Sequence, residues 1–133
     1  MATPADPRPR ALVVDDNVDA AETFADLLGL LGVEATFTSD SRAALELAEK
    51  TNPHIGFLDI AMPHINGYKL SQLLRERYGR ELCLVAVTAY GQPDDRRRSR
   101  IAGFDAHVAK PADIDVVRSI LSQFFPERSW HAA

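Results

Sequence analysis

A single cysteine, Cys83, excludes an internal disulfide. Its place inside the run Leu82-Cys83-Leu84-Val85-Ala86-Val87 reads as a small buried hydrophobe rather than a reactive thiol. That run is among the longest unbroken apolar stretches, far short of the ~20 residues needed to cross a bilayer. No signal-peptide core is visible, so a reducing cytoplasm is the expected location and no membrane partner is expected. An excess of positive charge is missing too. The net charge of −4 and a pI near 5.5 argue against direct, sequence-independent attraction to nucleic acid. The local exception is Arg96, Arg97, Arg98 and Arg100, of which only Arg96 and Arg100 share a helical face, with Asp94 and Asp95 as partial balance. Internal repeats, charge blocks and low-complexity tracts are lacking, and His54, His64 and His131 show no metal-ligand spacing.

What remains is a chain of 133 residues, 46% of them hydrophobic, which fits one domain with a real core. The proline-rich lead MATPADPRPR reads as a disordered segment or linker stub over residues 1–10, followed by a folded domain over 11–125 and a tail over 126–133. From Ala11 onward, short apolar runs alternate with amphipathic stretches, the pattern of five βα units with helices on both faces of a parallel sheet. Strands are expected at about 11–15, 34–38, 55–59, 82–88 and 105–109. The intervening helices should start near Val18, capped by Asn17, near Ser39 or Asp40, after Asn66, near Pro93, and near Asp113. The fourth helix offers only Ile101 and Ala102 as apolar residues and should be the least firmly anchored. The fifth should bury Ile114, Val117, Ile120, Leu121 and Phe124.

Polar residues stand at the C-terminal ends of four of these runs: Asp15-Asp16, Asp59, Thr88 and Lys110. In an open α/β sheet the carboxyl ends of parallel strands converge on one crevice, so three carboxylates, a hydroxyl and an ammonium would share a pocket. Such an inventory suits a hard cation and a phosphoryl group.

Together with Met62-Pro63, Asn66-Gly67, Thr88-Ala89 and Lys110-Pro111, these positions resemble the receiver domain of two-component response regulators, over the span from Ala11 to Phe125. The resemblance implies a flavodoxin-like, doubly wound sheet of five parallel strands, (βα)5, in the order 2-1-3-4-5. It implies that Asp59 accepts a phosphoryl group from a phosphohistidine on a histidine kinase or histidine phosphotransfer protein. By the same resemblance Asp16, Asp59 and the backbone carbonyl of Ala61 hold Mg²⁺, with Mn²⁺ as a substitute, while Asp15 acts through water. Three neighbouring carboxylates repel one another, and a small oxygen-seeking cation relieves that repulsion. Lys110 and Thr88 would each engage a phosphoryl oxygen, with the Ala89 N–H as a further donor. Pro111 is the candidate for a cis peptide bond that aims Lys110.

Two positions depart from the usual family pattern, His107 and Tyr90. Many members carry Tyr or Phe three residues before the lysine as a switch; here it is His107, read as a partly exposed edge-strand residue in preference to a titratable switch. Tyr90 either covers the pocket and tunes water access or packs on its loop. The expected function is a phosphorylation-activated, stand-alone regulator, monomeric or weakly dimeric, with no conventional turnover and an unknown downstream protein target. The alternatives are a receiver domain from a hybrid histidine kinase and a Mg-dependent phosphohydrolase using an aspartyl phosphate. The hydrolases of that type need a second acid two residues after the nucleophile, where this chain has Ala61.

Overall fold

The computed structural model describes residues 8–89, 96–128 and 130; Tyr90, Pro93, Asp94, Asp95 and His131 lie outside them. The strands are β1 (Arg10–Val14), β2 (Glu34–Thr38), β3 (Ile55–Asp59), β4 (Cys83–Thr88) and β5 (Ala106–Ala109). The helices are α1 (Val18–Leu30), α2 (Ala44–Thr51), α3 (Gly67–Tyr78), α4 (Arg96–Ala102) and α5 (Ile114–Phe124). All neighbouring strands run parallel, in the order β2-β1-β3-β4-β5, which is the doubly wound arrangement expected.

Alternation along each strand builds two cores. Ala11, Val13, Ile55, Phe57, Val85 and Val87 point to one face, where they meet Phe24 and Leu28 of α1 and Val117 and Leu121 of α5. Leu12, Val14, Leu58, Leu84 and Ala86 point to the other, against Ala44 and Ala48 of α2 and Leu70 and Leu74 of α3. Because both faces are covered, the strands read as continuous apolar runs rather than alternating ones. Among the described residues, no helix is long and apolar enough to cross a membrane.

Local chemistry sets the helix ends. The side chains of Asn17, Asn66 and Asp113 accept backbone N–H groups in the first turns of α1, α3 and α5. The second crossover departs from expectation in form. Asp40 caps a short 3-10 turn over Ser41–Ala43, and α2 follows it. Ile114 was expected to face inward, but it lies in the first helical position beside its cap and is partly exposed; Val117, Ile120 and Leu121 do the packing. Trp130 is buried beyond α5: its ring lies 6.2 Å from Phe125, and its indole N–H donates to the Phe125 carbonyl at 3.0 Å.

The fourth helix is held mainly by polar ties, since Ile101 is 72% exposed and Ala102 alone of its apolar residues is buried. Ser71 on α3 donates its hydroxyl to the Ala102 carbonyl at 2.8 Å. Arg75, one turn further on, donates to the carbonyls of Gly79 and Leu82 at 2.6 Å each, to that of Gly103, and to the Asp105 carboxylate at 3.0 Å. One guanidinium thus gathers the end of α3, the end of α4 and the start of β5.

Gly67 opens α3 directly above the end of β3. A Cβ there would lie 2.5 Å from the Asp59 carbonyl oxygen and 2.7 Å from the Ile60 Cα, both backbone atoms that cannot swing aside. Gly67→Ala should therefore destabilise the fold by about 1–3 kcal/mol through overpacking, although alanine is the better helix former. Urea denaturation measures the difference, and an increase in stability would contradict the close approach.

Candidate functional site

The parallel register brings the carboxyl ends of β1, β3, β4 and β5 to one rim. Val14 pairs with Leu58, Asp59 with Val87, and Thr88 with Ala109, so the residue after each strand arrives at a common level. The backbone N–H groups just beyond the strands extend this lacing: Asp15 donates to Thr38 at 3.2 Å, Ile60 to Val87 at 3.1 Å and Lys110 to Thr88 at 2.7 Å.

At this rim the carboxylates of Asp15, Asp16 and Asp59 each offer an oxygen, and the three oxygens lie within 4.8 Å of one another. Asp59 is only 3% exposed and Asp15 is buried, whereas Asp16 stands in solvent. Lys110 reaches between the two buried acids, its Nζ 2.6 Å from Asp15 and 3.3 Å from Asp59. The other oxygen of Asp59 accepts the Ala61 N–H at 3.2 Å, and the other oxygen of Asp15 accepts the Asn17 N–H at 3.0 Å. The Lys110–Pro111 peptide bond is cis. Thr88 is buried at the end of β4, and Ala89 follows it exposed.

The charges in this pocket are not balanced. Burial, reinforced by the neighbouring Asp15, pushes the Asp59 carboxyl up to about 6, although the Lys110 ammonium and the Ala61 N–H both pull it down. Burial would lower Lys110, yet its hydrogen bond to Asp15 and the charges of both acids raise it above the usual lysine range. One ammonium facing three carboxylates leaves net negative charge on hard oxygen donors. That donor set, the carboxylates of Asp15, Asp16 and Asp59, fits a divalent cation such as Mg²⁺.

His107 occupies the edge strand β5, where its Nε2 lies 2.9 Å from the hydroxyl of the fully buried Ser99. It is therefore engaged with α4 rather than simply solvated. Periodicity on α4 drew attention to Ile101 and Ala102, of which only Ala102 is buried, and gave no hint that a serine, Ser99, is buried beside it. Arg75 and Ser41 were missed for the same reason: single polar residues in amphipathic or turn segments carry no pattern. A groove of about 530 Å³, lined in part by Asn17, Ala20, Phe24, Leu27, Lys110 and Pro111, opens beside the carboxylates.

Comparison with known proteins places these features in a family. The model of the response regulator receiver domain matches residues 11–122. The chain is 33% identical over 113 residues to the sensor histidine kinase RcsC of Escherichia coli K12, a match covering 85% of this chain and 12% of RcsC. It is 30% identical over 104 residues to the polar-differentiation response regulator DivK of Brucella ovis, covering 77% of this chain and 85% of DivK. Among solved structures it resembles the receiver domain of Ssk1 from Saccharomyces cerevisiae, crystallised with the histidine phosphotransfer signaling protein Ypd1. That match has a TM-score of 0.78 and 18% identity, and covers 90% of each chain. The chain belongs to the response regulator receiver domain family of two-component signalling.

The raised Asp59 carboxyl has a measurable consequence. Its folded pKa of about 6 lies above the ordinary 3.8, so the folded state favours the protonated acid, and ionisation of Asp59 costs stability above pH 6. That cost fades as pH falls from 6 toward 4. In metal-free buffer at pH 7.5, Asp59→Asn should be more stable than the wild type by about 1–2 kcal/mol, with the gap closing toward pH 4. Thermal unfolding across that range checks both the sign and the window.

Proposed function

We propose that Asp59 is the phosphoacceptor of this receiver domain, taking a phosphoryl group from a phosphohistidine on a histidine kinase or histidine phosphotransfer protein in a magnesium-dependent reaction. The observation that supports this most directly is the cluster itself: three carboxylate oxygens within 4.8 Å, with the Lys110 ammonium between two of them. In the transfer, a carboxylate oxygen of Asp59 attacks phosphorus, the P–N bond to the donor imidazole breaks, and the imidazole leaves with that electron pair. Asp15, Asp16 and Asp59, with the Ala61 carbonyl as a further ligand, would hold the cation, whose charge would neutralise the incoming phosphoryl oxygens.

The protein's own groups do the rest by position. Lys110, already raised and ionised, exchanges its contact with Asp59 for a phosphoryl oxygen. The Thr88 hydroxyl and the Ala89 N–H serve the remaining oxygens from the end of β4. The groove beside Lys110 offers apolar surface to the donor protein. Phosphorylation then alters the surface of α4, β5 and α5, where the Ser99–His107 contact stands in place of an aromatic switch.

The match to the response regulator DivK over most of its length supports a stand-alone regulator. The match to RcsC supports the second reading, a receiver domain of a hybrid kinase.

Incubation with Mg²⁺ and a small acyl phosphate should add one phosphoryl group, seen by mass and removed by hydroxylamine. Chelation should abolish the addition, and Asp59→Asn should gain none. Equal labelling of that variant would reject Asp59 as the acceptor.

A further inference from the structure

The loop after β3 must carry Ala61 past the carboxylates, yet it is a turn of mixed polarity with a proline in it. Its base is fastened by the Ile60 N–H to Val87 at 3.1 Å and by the Gly67 N–H to the Ile60 carbonyl at 2.9 Å. Its far end is fastened from outside. The Ser41 hydroxyl donates to the Pro63 carbonyl at 3.1 Å and accepts the Ile65 N–H at 3.2 Å. These two partners flank His64, whose φ of 69° is left-handed, a conformation that a residue with a side chain adopts at some cost.

Ser41 is itself enclosed by the fold. It is 3% exposed and begins the 3-10 turn capped by Asp40, whose carboxylate accepts the Arg42 N–H at 2.9 Å. One hydroxyl therefore acts as donor and acceptor to the two ends of a strained three-residue turn, holding it closed as a backbone hydrogen bond would. Met62, on the Ala61 side of that turn, is buried, so displacement of Pro63 would be passed to Ala61 through packed neighbours.

We infer that Ser41 is a positioning residue for the cation site: through Pro63 and Ile65 it fixes the turn that aims the Ala61 carbonyl, and so sets Mg²⁺ affinity without touching the ion. This inference rests on the cation reading of Asp15, Asp16 and Asp59 given above. Residues that orient metal ligands from outside commonly change affinity tenfold or more when removed.

The test is calorimetric titration of Mg²⁺ into wild-type protein, Ser41→Ala and Ser41→Thr, with Leu74→Ala as a variant destabilised at a distance. Ser41→Ala should bind Mg²⁺ about tenfold more weakly, Ser41→Thr should recover most of the affinity, and Leu74→Ala should keep it despite a lower melting temperature. Equal affinity in wild type and Ser41→Ala overturns the positioning role while leaving the cation site intact. Absence of Mg²⁺ binding by the wild type overturns the site reading instead. Hydrogen exchange on the wild type adds a measurement that needs no variant to fold. The Ile65 amide should be protected, and more so with Mg²⁺; exchange at the rate of an open loop, with or without Mg²⁺, overturns the inference.

Discussion

Carboxylates crowded at the ends of adjacent buried strands are the constraint around which this molecule is organised. At a separation of up to 4.8 Å the two buried acids, Asp15 and Asp59, repel each other by about 3 kcal/mol at an effective dielectric of about 20, a large share of the ~5–15 kcal/mol that holds a small domain together. Lys110 offsets part of that repulsion but cannot offset all of it. The sheet is what makes the arrangement tolerable. Its two apolar cores and in-register backbone lacing hold Asp15 and Asp59 where the repulsion cannot relax by separation. Stability is thus given up to hold negative charge in one place.

The same rigidity explains where exact fits occur. Gly67 sits against the Asp59 backbone, and the Ser41 hydroxyl closes the turn around His64. The first contact shapes the backbone next to Asp59 and the second the loop that follows it, rather than the acid itself. The pocket is built from side chains, but its dimensions are set by peptide groups one layer behind them.

The doubly wound sheet was legible because burial on both faces writes strands as short apolar runs, and Gly, Asn and Pro punctuate the crossovers. The strand ends were legible for a related reason: a polar residue after such a run has one place to go. Asn17 and Asn66 act as the caps their positions forecast, and Asp113, forecast only as the start of the last helix, caps it as well. Contacts made by isolated polar groups were not legible. Ser99, Ser71 and Arg75 fasten α4 where apolar burial is thin, and nothing in their spacing distinguishes them from solvated residues. Ile114 failed in the opposite way, since helical periodicity does not reveal that a first-turn position beside its cap is lifted off the sheet.

The burial of Trp130 bears on how the molecule can be observed. It is the chain's one tryptophan, packed on Phe125, whose ring in turn meets His54 edge-on just before β3 begins. Asp59 closes the same strand at its other end, roughly 16 Å away along five residues of extended chain. The indole is therefore a gauge of whether the core is intact and a poor reporter of what happens among the carboxylates. Intrinsic fluorescence of this protein reads folding, and spectroscopic work on the pocket calls for a chromophore placed at the opposite rim.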